Sequence, residues 1–120
     1  MDMQIVEQLE KTHLLVWNEK DRAKRDSQMS TIYAERIRMY DKEFILNGRK
    51  EVSDFIDKLF VGDPNFQFDA AKPMEPVQDG IRFAWIIKTG GQVLTGMDFF
   101  VLEEGQVAHL YVFMDPVGKP

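Results

Sequence analysis

The sequence has no cysteine among its 120 residues, which excludes disulfide staples, thiolate nucleophiles and Cys-ligated zinc. It has only two histidines, His13 and His109, and no H-x-H or H-x-x-x-H spacing, so no metal site is expected. Basic charge is in deficit: 15 Lys and Arg against 20 Asp and Glu leave a net charge of −5, which argues against phosphate-backbone binding and hence against nucleic acid as a partner. No apolar run approaches the ~20 residues that a membrane-spanning helix needs. Residues 1–20 carry Asp2, Glu7, Glu10, Lys11, Glu19 and Lys20, which interrupt any apolar signal core, so the cytoplasm is the expected compartment. The chain has no G-x-S-x-G, phosphate loop or dinucleotide fingerprint, and no Ser beside a convincing base. Covalent catalysis is therefore disfavoured, and any chemistry is expected to be cofactor-free.

What is present is an ordinary globular composition, 44% apolar and 29% charged, expected to form a single domain over residues 1–120. A domain of that length buries roughly two thirds of the surface its unfolded chain exposes, enough for a core without staples. The first half reads mainly as helix. Val6, Leu9, Val16 and Trp17 recur at helical spacing between Met3 and Lys20, and a second helix starts near Asp21 and ends before Tyr33. Residues 35–41 alternate as a strand, Phe44–Leu46 form a short one, and Val52, Phe55, Ile56, Leu59 and Phe60 stripe a third helix stopped by Gly62, Asp63 and Pro64. Beyond Pro64 come strands from Phe66 to Asp69, Ile81 to Thr89, Gln92 to Leu102 and Gln106 to Asp115, with turns at Asp79–Gly80, Gly90–Gly91 and Glu104–Gly105. The alternating charges of Lys20–Asp26 read as a solvated helix face. The expected fold is α+β, with three helices packed on the concave face of a curved, mostly antiparallel sheet.

Two-residue loops at Gly90–Gly91 and Glu104–Gly105 set a register. They pair Phe83 with Asp98, Trp85 with Gly96, Ile87 with Leu94, Asp98 with Tyr111 and Phe100 with His109. One face then collects Phe83, Trp85, Asp98, Phe100, His109 and Tyr111 among apolar neighbours, and a one-residue bulge would flip part of it. The other face holds Ile86, Met97, Phe99, Val101, Leu110, Val112 and Met114. Two apolar faces need two covers, so a sheet-to-sheet homodimer is expected.

The element order, Trp17–Asp21 ending the first helix, Arg38-Met39-Tyr40-Asp41 followed by Asn47-Gly48-Arg49, and Gly96–Leu102 with Gly105-Gln106-Val107 carry a family resemblance across nearly the whole chain. The chain resembles the nuclear-transport-factor-two-like superfamily, a cone-shaped α+β barrel fold that includes ketosteroid isomerases, SnoaL-like polyketide cyclases, dehydratases and non-catalytic transport factors. The tail Leu110–Asp115 is especially similar to small SnoaL-like proteins. The resemblance implies a general base at Asp41, a neutral carboxylic acid of an oxyanion hole at Asp98, and at His13 the place where ketosteroid isomerases carry the oxyanion-hole Tyr.

The residues point the same way. His13 lies four after Leu9 and four before Trp17, on the buried stripe of its helix. Asp41 shares strand parity with Ile37 and Met39, and serves equally well as a turn cap. Asp98, among Leu94, Phe100 and Leu102, is costly to bury unless it is protonated, paired or facing a wet cavity. The expected function is acid–base chemistry on a small hydrophobic carbonyl compound, an isomerisation, cyclisation or dehydration. Asp41 would be the base, protonated Asp98 and His13 would donate hydrogen bonds, and His109, Tyr111, Trp85, Phe83, Phe100 and Trp17 would line the substrate. The alternative is a non-catalytic ligand-binding or interaction module of the same fold.

Overall fold

A computed structural model describes residues 1–116. Its elements run α1 (Met3–Asn18), α2 (Arg22–Ile32), β1 (Tyr33–Tyr40), β2 (Ile45–Asn47), α3 (Gly48–Gly62), β3 (Gln67–Ala70), β4 (Glu75–Val77), β5 (Gly80–Thr89), β6 (Gln92–Glu103) and β7 (Gln106–Met114). The strands form one curved sheet, ordered β2-β1-β7-β6-β5-β3, with β4 also on β5. Among the described residues only the β1–β7 pair is parallel. The sheet does not close, and the helices fill its concave side in the expected α+β arrangement.

Local chemistry starts each helix. Asp2 and Asp21 cap α1 and α2 by accepting from free backbone N–H groups, Asp2 from Gln4 and Asp21 from Ala23 and Lys24. The α1 stripe of Val6, Leu9, His13, Val16 and Trp17 is buried against the sheet. At its end Asn18 exchanges two hydrogen bonds with the Phe68 backbone (2.7 and 2.9 Å), pinning β3 beside the last turn of α1.

The charged run of α2 is not simply a solvated face. Arg25 is fully buried and donates to Ser53, to the Glu19 carbonyl (2.8 Å) and to Asp57, locking α2 onto α3. Arg22 joins the same seam through Asp26, Asp54 and Asp57. Bonds from Arg22 and Lys50 hold the Asp54 carboxyl below its ordinary range. Burial pushes Asp57 up, but Arg25 and Arg22 outweigh it and leave the carboxyl lowered. The Arg22 guanidinium is in turn pushed up, chiefly by Asp54 and Asp26.

The β5–β6 register is the expected one: Phe83 opposes Asp98, Trp85 opposes Gly96 and Ile87 opposes Leu94. Gly90 and Gly91 both have positive φ, as the tight turn requires. The β6–β7 register is not. Leu102 pairs with Val107 and Val101 with His109, leaving Ala108 as the extra residue of a bulge. Beyond it every β7 side chain changes face. Phe100 opposes Leu110 and Asp98 opposes Val112, while His109 and Tyr111 lie across from Val101 and Phe99 on the convex side. The expected inward positions of His109 and Tyr111, and the outward ones of Leu110, Val112 and Met114, are thus reversed.

Gly96 has no space for a side chain: a Cβ there would fall on the Trp85 ring and the Phe113 carbonyl. The indole lies over the missing side chain. Gly96→Ala is expected to cost about 1–3 kcal/mol through overpacking, measured by urea denaturation. An unchanged midpoint would mean that the Trp85 ring moves aside freely.

Candidate functional site

Five side chains from four elements form one buried hydrogen-bonded chain. Trp17 Nε1–H donates to the Tyr33 hydroxyl (3.0 Å), which lies 2.5 Å from His13 Nδ1. His13 Nε2 lies 3.1 Å from Asp98 Oδ2, and Trp85 Nε1–H donates to Asp98 Oδ1 (2.9 Å). His13 and Tyr33 have no exposed surface and Asp98 has 4%. The ring of His13 is packed edge-on by Phe68, Phe83 and Phe100 at centroid distances of 5.5, 5.7 and 4.8 Å.

One proton arrangement leaves no buried donor unpaired. Tyr33 already accepts from Trp17, so its own proton goes to His13 Nδ1. The imidazole is then neutral and donates through Nε2 to Asp98. If His13 instead donated from Nδ1, the Tyr33 proton would face a fully buried orphanage worth about 1–3 kcal/mol. Asp98 therefore receives two N–H bonds from behind and keeps lone pairs for whatever lies in front. Burial, more than any other cause, pushes the Tyr33 hydroxyl far up, so it remains a neutral donor.

In front of Asp98 is a cavity of about 380 Å³, a size typical of small-molecule sites. Its buried end is made by Asp98, Trp17, Trp85, Met39, Phe66 and Phe68, and Phe55, Leu94 and Val112 extend the apolar wall. Towards the exposed end it meets Asp41, Lys58, Asp63 and Thr89. The Asp63 carboxyl is lowered by bonds from Thr89, the Gly90 N–H and the Asn65 N–H, and so stays charged. Asp41 lies just past β1, half-buried. Its Oδ2 accepts from the Glu43 N–H (3.1 Å), so it caps its turn and reaches the cavity as well.

Of the sequence-based candidates, Asp41, Asp98, Trp17 and Trp85 meet at the cavity. His13 stands directly behind Asp98, and Phe83 and Phe100 pack on His13 without lining the cavity. His109 and Tyr111 lie on the other side of the sheet. There Tyr40 stacks on Tyr111 at 4.4 Å and its hydroxyl lies 2.9 Å from His109 Nδ1. The residue missed by sequence reasoning is Tyr33. Its parity with Ile37 and Met39 is the signal for it, masked by exposed Glu35 and by a register shift between Tyr33 and Arg38.

Tyr33→Phe removes the partner of two buried groups, His13 Nδ1 and Trp17 Nε1, and is expected to cost at least about 2 kcal/mol. Tyr40→Phe removes a similar hydroxyl–His contact at a half-exposed site, where water replaces it, and should cost under ~0.5 kcal/mol. Chemical denaturation of both variants separates the two. Equal costs would show that the interior network is as wet as the surface one.

Compared by sequence, the chain matches no family model and no curated protein. Its structure matches many solved ones. A SnoaL-like family protein from Agrobacterium tumefaciens, described as a candidate isomerase, is 25% identical, covers 95% of this chain and 100% of its own, and has a TM-score of 0.84. A candidate ketosteroid isomerase from Kribbella flavida is 17% identical over 99% of this chain and 86% of its own, at 0.75. A de novo designed protein with a curved β-sheet is 12% identical over 97% and 89%, at 0.76. The curved sheet, the three helices on its concave side and these structural neighbours lead to one conclusion: the chain belongs to the SnoaL-like, nuclear-transport-factor-two-like superfamily.

Proposed function

We propose that the cavity carries out cofactor-free proton transfer on a small hydrophobic carbonyl compound, as an isomerase, cyclase or dehydratase of the SnoaL-like class. The observation that carries this reading is a buried carboxyl, Asp98, that closes an apolar cavity while a His and a Trp hold it from behind. Asp98 takes the proton from the carbon beside the carbonyl on its cavity side and returns it to the product. His13 and Tyr33 act through Asp98: they fix its rotamer and supply a directional hydrogen bond that survives both protonation states. Asp41 reaches the same cavity from its open side as a second carboxylate able to exchange a proton. The apolar walls exclude water from the carbanion-like intermediate and position the ligand by burial.

Exchange of the α-hydrogens of small ketones in deuterated buffer, followed by proton NMR, tests the reading directly. Wild-type protein should accelerate exchange, and Asp98→Asn should lower it by at least about a hundredfold. Circular dichroism serves as the check that the variant is folded. A folded Asp98→Asn variant with undiminished exchange would remove Asp98 from the reaction, and ligand binding without exchange in the wild type would leave a binding protein.

The convex face supports a homodimer. All three helices lie on the other side, while Tyr111 and Phe113 are exposed beside Met97, Phe99 and Val101 on this one. With Ile45 at the β2 end, they make an apolar and aromatic surface that stacking of a second copy would cover. Light scattering at micromolar concentration is expected to give twice 14.0 kDa. Phe113→Lys should shift the species to monomer, and a wild-type monomer would show that the face is stable in water.

A further inference from the structure

Removing a proton beside a carbonyl puts negative charge on its oxygen, and that charge needs hydrogen-bond donors or positive charge nearby. Among the described residues, the buried end of this cavity has no donor to spare. Trp17 Nε1–H is committed to Tyr33, the Tyr33 hydroxyl to His13, and His13 Nε2–H and Trp85 Nε1–H to Asp98. Further out, the Thr89 hydroxyl and the Gly90 N–H both donate to Asp63. Among the described residues, the charged groups of the lining are three carboxylates, Asp41, Asp63 and Asp98, against one ammonium, Lys58. An anionic intermediate formed here would sit in a net negative field, with the donors of the buried end already engaged.

The same lining suits a cation. Six aromatic rings, those of Trp17, Phe44, Phe55, Phe66, Phe68 and Trp85, border the cavity, and aromatic faces attract a desolvated ammonium. Asp98 keeps an acceptor position on its cavity side, and Asp41 and Asp63 add negative charge towards the mouth.

We propose that the substrates of this site are carbonyl compounds that carry a protonated amine close to the reacting carbon. The inference rests on the acid–base reading of Asp98, and the substrate adds positive charge to a described lining that sets only Lys58 against three carboxylates. The α-proton passes to an Asp98 oxygen and the C–H pair becomes the enol double bond. The carbonyl π pair moves to oxygen, where the neighbouring ammonium offsets it. A carboxylate and a cation thus become a carboxylic acid and a neutral zwitterion, and the anionic end of the reaction is never left alone in the cavity.

Three probes of similar size separate the charge types: 2-aminoacetophenone as its ammonium ion, propiophenone as its neutral isostere, and 3-benzoylpropionate as the anion. Quenching of tryptophan fluorescence reports binding, and deuterium exchange at the α-carbon, divided by the rate in buffer alone, reports chemistry. The ammonium ketone is expected to bind at least tenfold more tightly than propiophenone and to show the larger acceleration, with the anion weakest. Asp98→Asn should reduce the tenfold preference. Because the wild-type comparison stands alone, it decides the matter even if that variant does not fold. Propiophenone bound as tightly and exchanged as fast as the ammonium ketone would overturn the charge preference and leave the acid–base reading in place. Preferential binding of the ammonium with no exchange of any probe would keep the charge preference as a binding property and end the acid–base reading. Binding of the anion in preference to both would overturn the inference outright.

Discussion

The organisation of this molecule depends on the burial of one carboxylate. Asp98 sits on a central strand with apolar neighbours on its own face, and an isolated charge there would cost several kcal/mol in lost hydration. The cost is met by two N–H donors, and each donor needs its own support. His13 presents Nε2–H because Tyr33 occupies Nδ1, Tyr33 is held by Trp17, and Trp85 reaches Asp98 because Gly96 leaves room for its ring. The network therefore links α1, β1, β5 and β6 in one connected polar unit inside an aromatic core. Such a unit is stable only when every member is paired, so the packing around it is demanding.

How much of this was legible in the sequence follows from which rules are local. The Gly90–Gly91 turn and the period-two alternation are local, so the β5–β6 register, with Trp85 over Gly96 and Phe83 beside Asp98, could be read directly. The His13 helix face was equally open to reading because helical spacing is local. The bulge at Ala108 was not, since nothing in Gln106-Val107-Ala108-His109 distinguishes a bulged residue from a paired one. Its consequence is large for a single residue: it exchanges His109 and Tyr111 for Leu110 and Val112 on the concave face. Tyr33 was hidden for a related reason, because it stands at a helix–strand junction where neither period applies. Arg25 shows the limit of charge patterning, since its buried bonds to Ser53 and Asp57 depend on where α3 lands.

The bulge also sets the chemistry of the cavity. Had β7 continued in simple alternation, His109 and the Tyr111 hydroxyl would have faced Asp98 and offered donors to a ligand oxygen. With Ala108 bulged out of the pairing, aliphatic Val112 opposes Asp98 instead, and His109 and Tyr111 form a separate stack with Tyr40 on the convex face. One inserted residue thus makes the concave side drier and poorer in donors, and the convex side richer in aromatic surface. Both the proposed ligand preference and the aromatic surface of the convex face follow from that single irregularity.

Fold and chemistry are separable here, and the structural neighbours make the point in physical terms. A designed protein with a curved sheet reaches a TM-score of 0.76 at 12% identity, so the cone needs only curvature, turns and a filled concave side. None of those requirements calls for an ionisable group in the core, and a design optimised for stability alone would put a leucine at the place of Asp98. A buried carboxyl with its donors arranged behind it and a cavity in front is instead an arrangement that fixes one acceptor at the end of an apolar pocket. The closed polar chain behind Asp98 holds that acceptor in one rotamer while its cavity side stays open, which is what the proposed proton transfer asks of it.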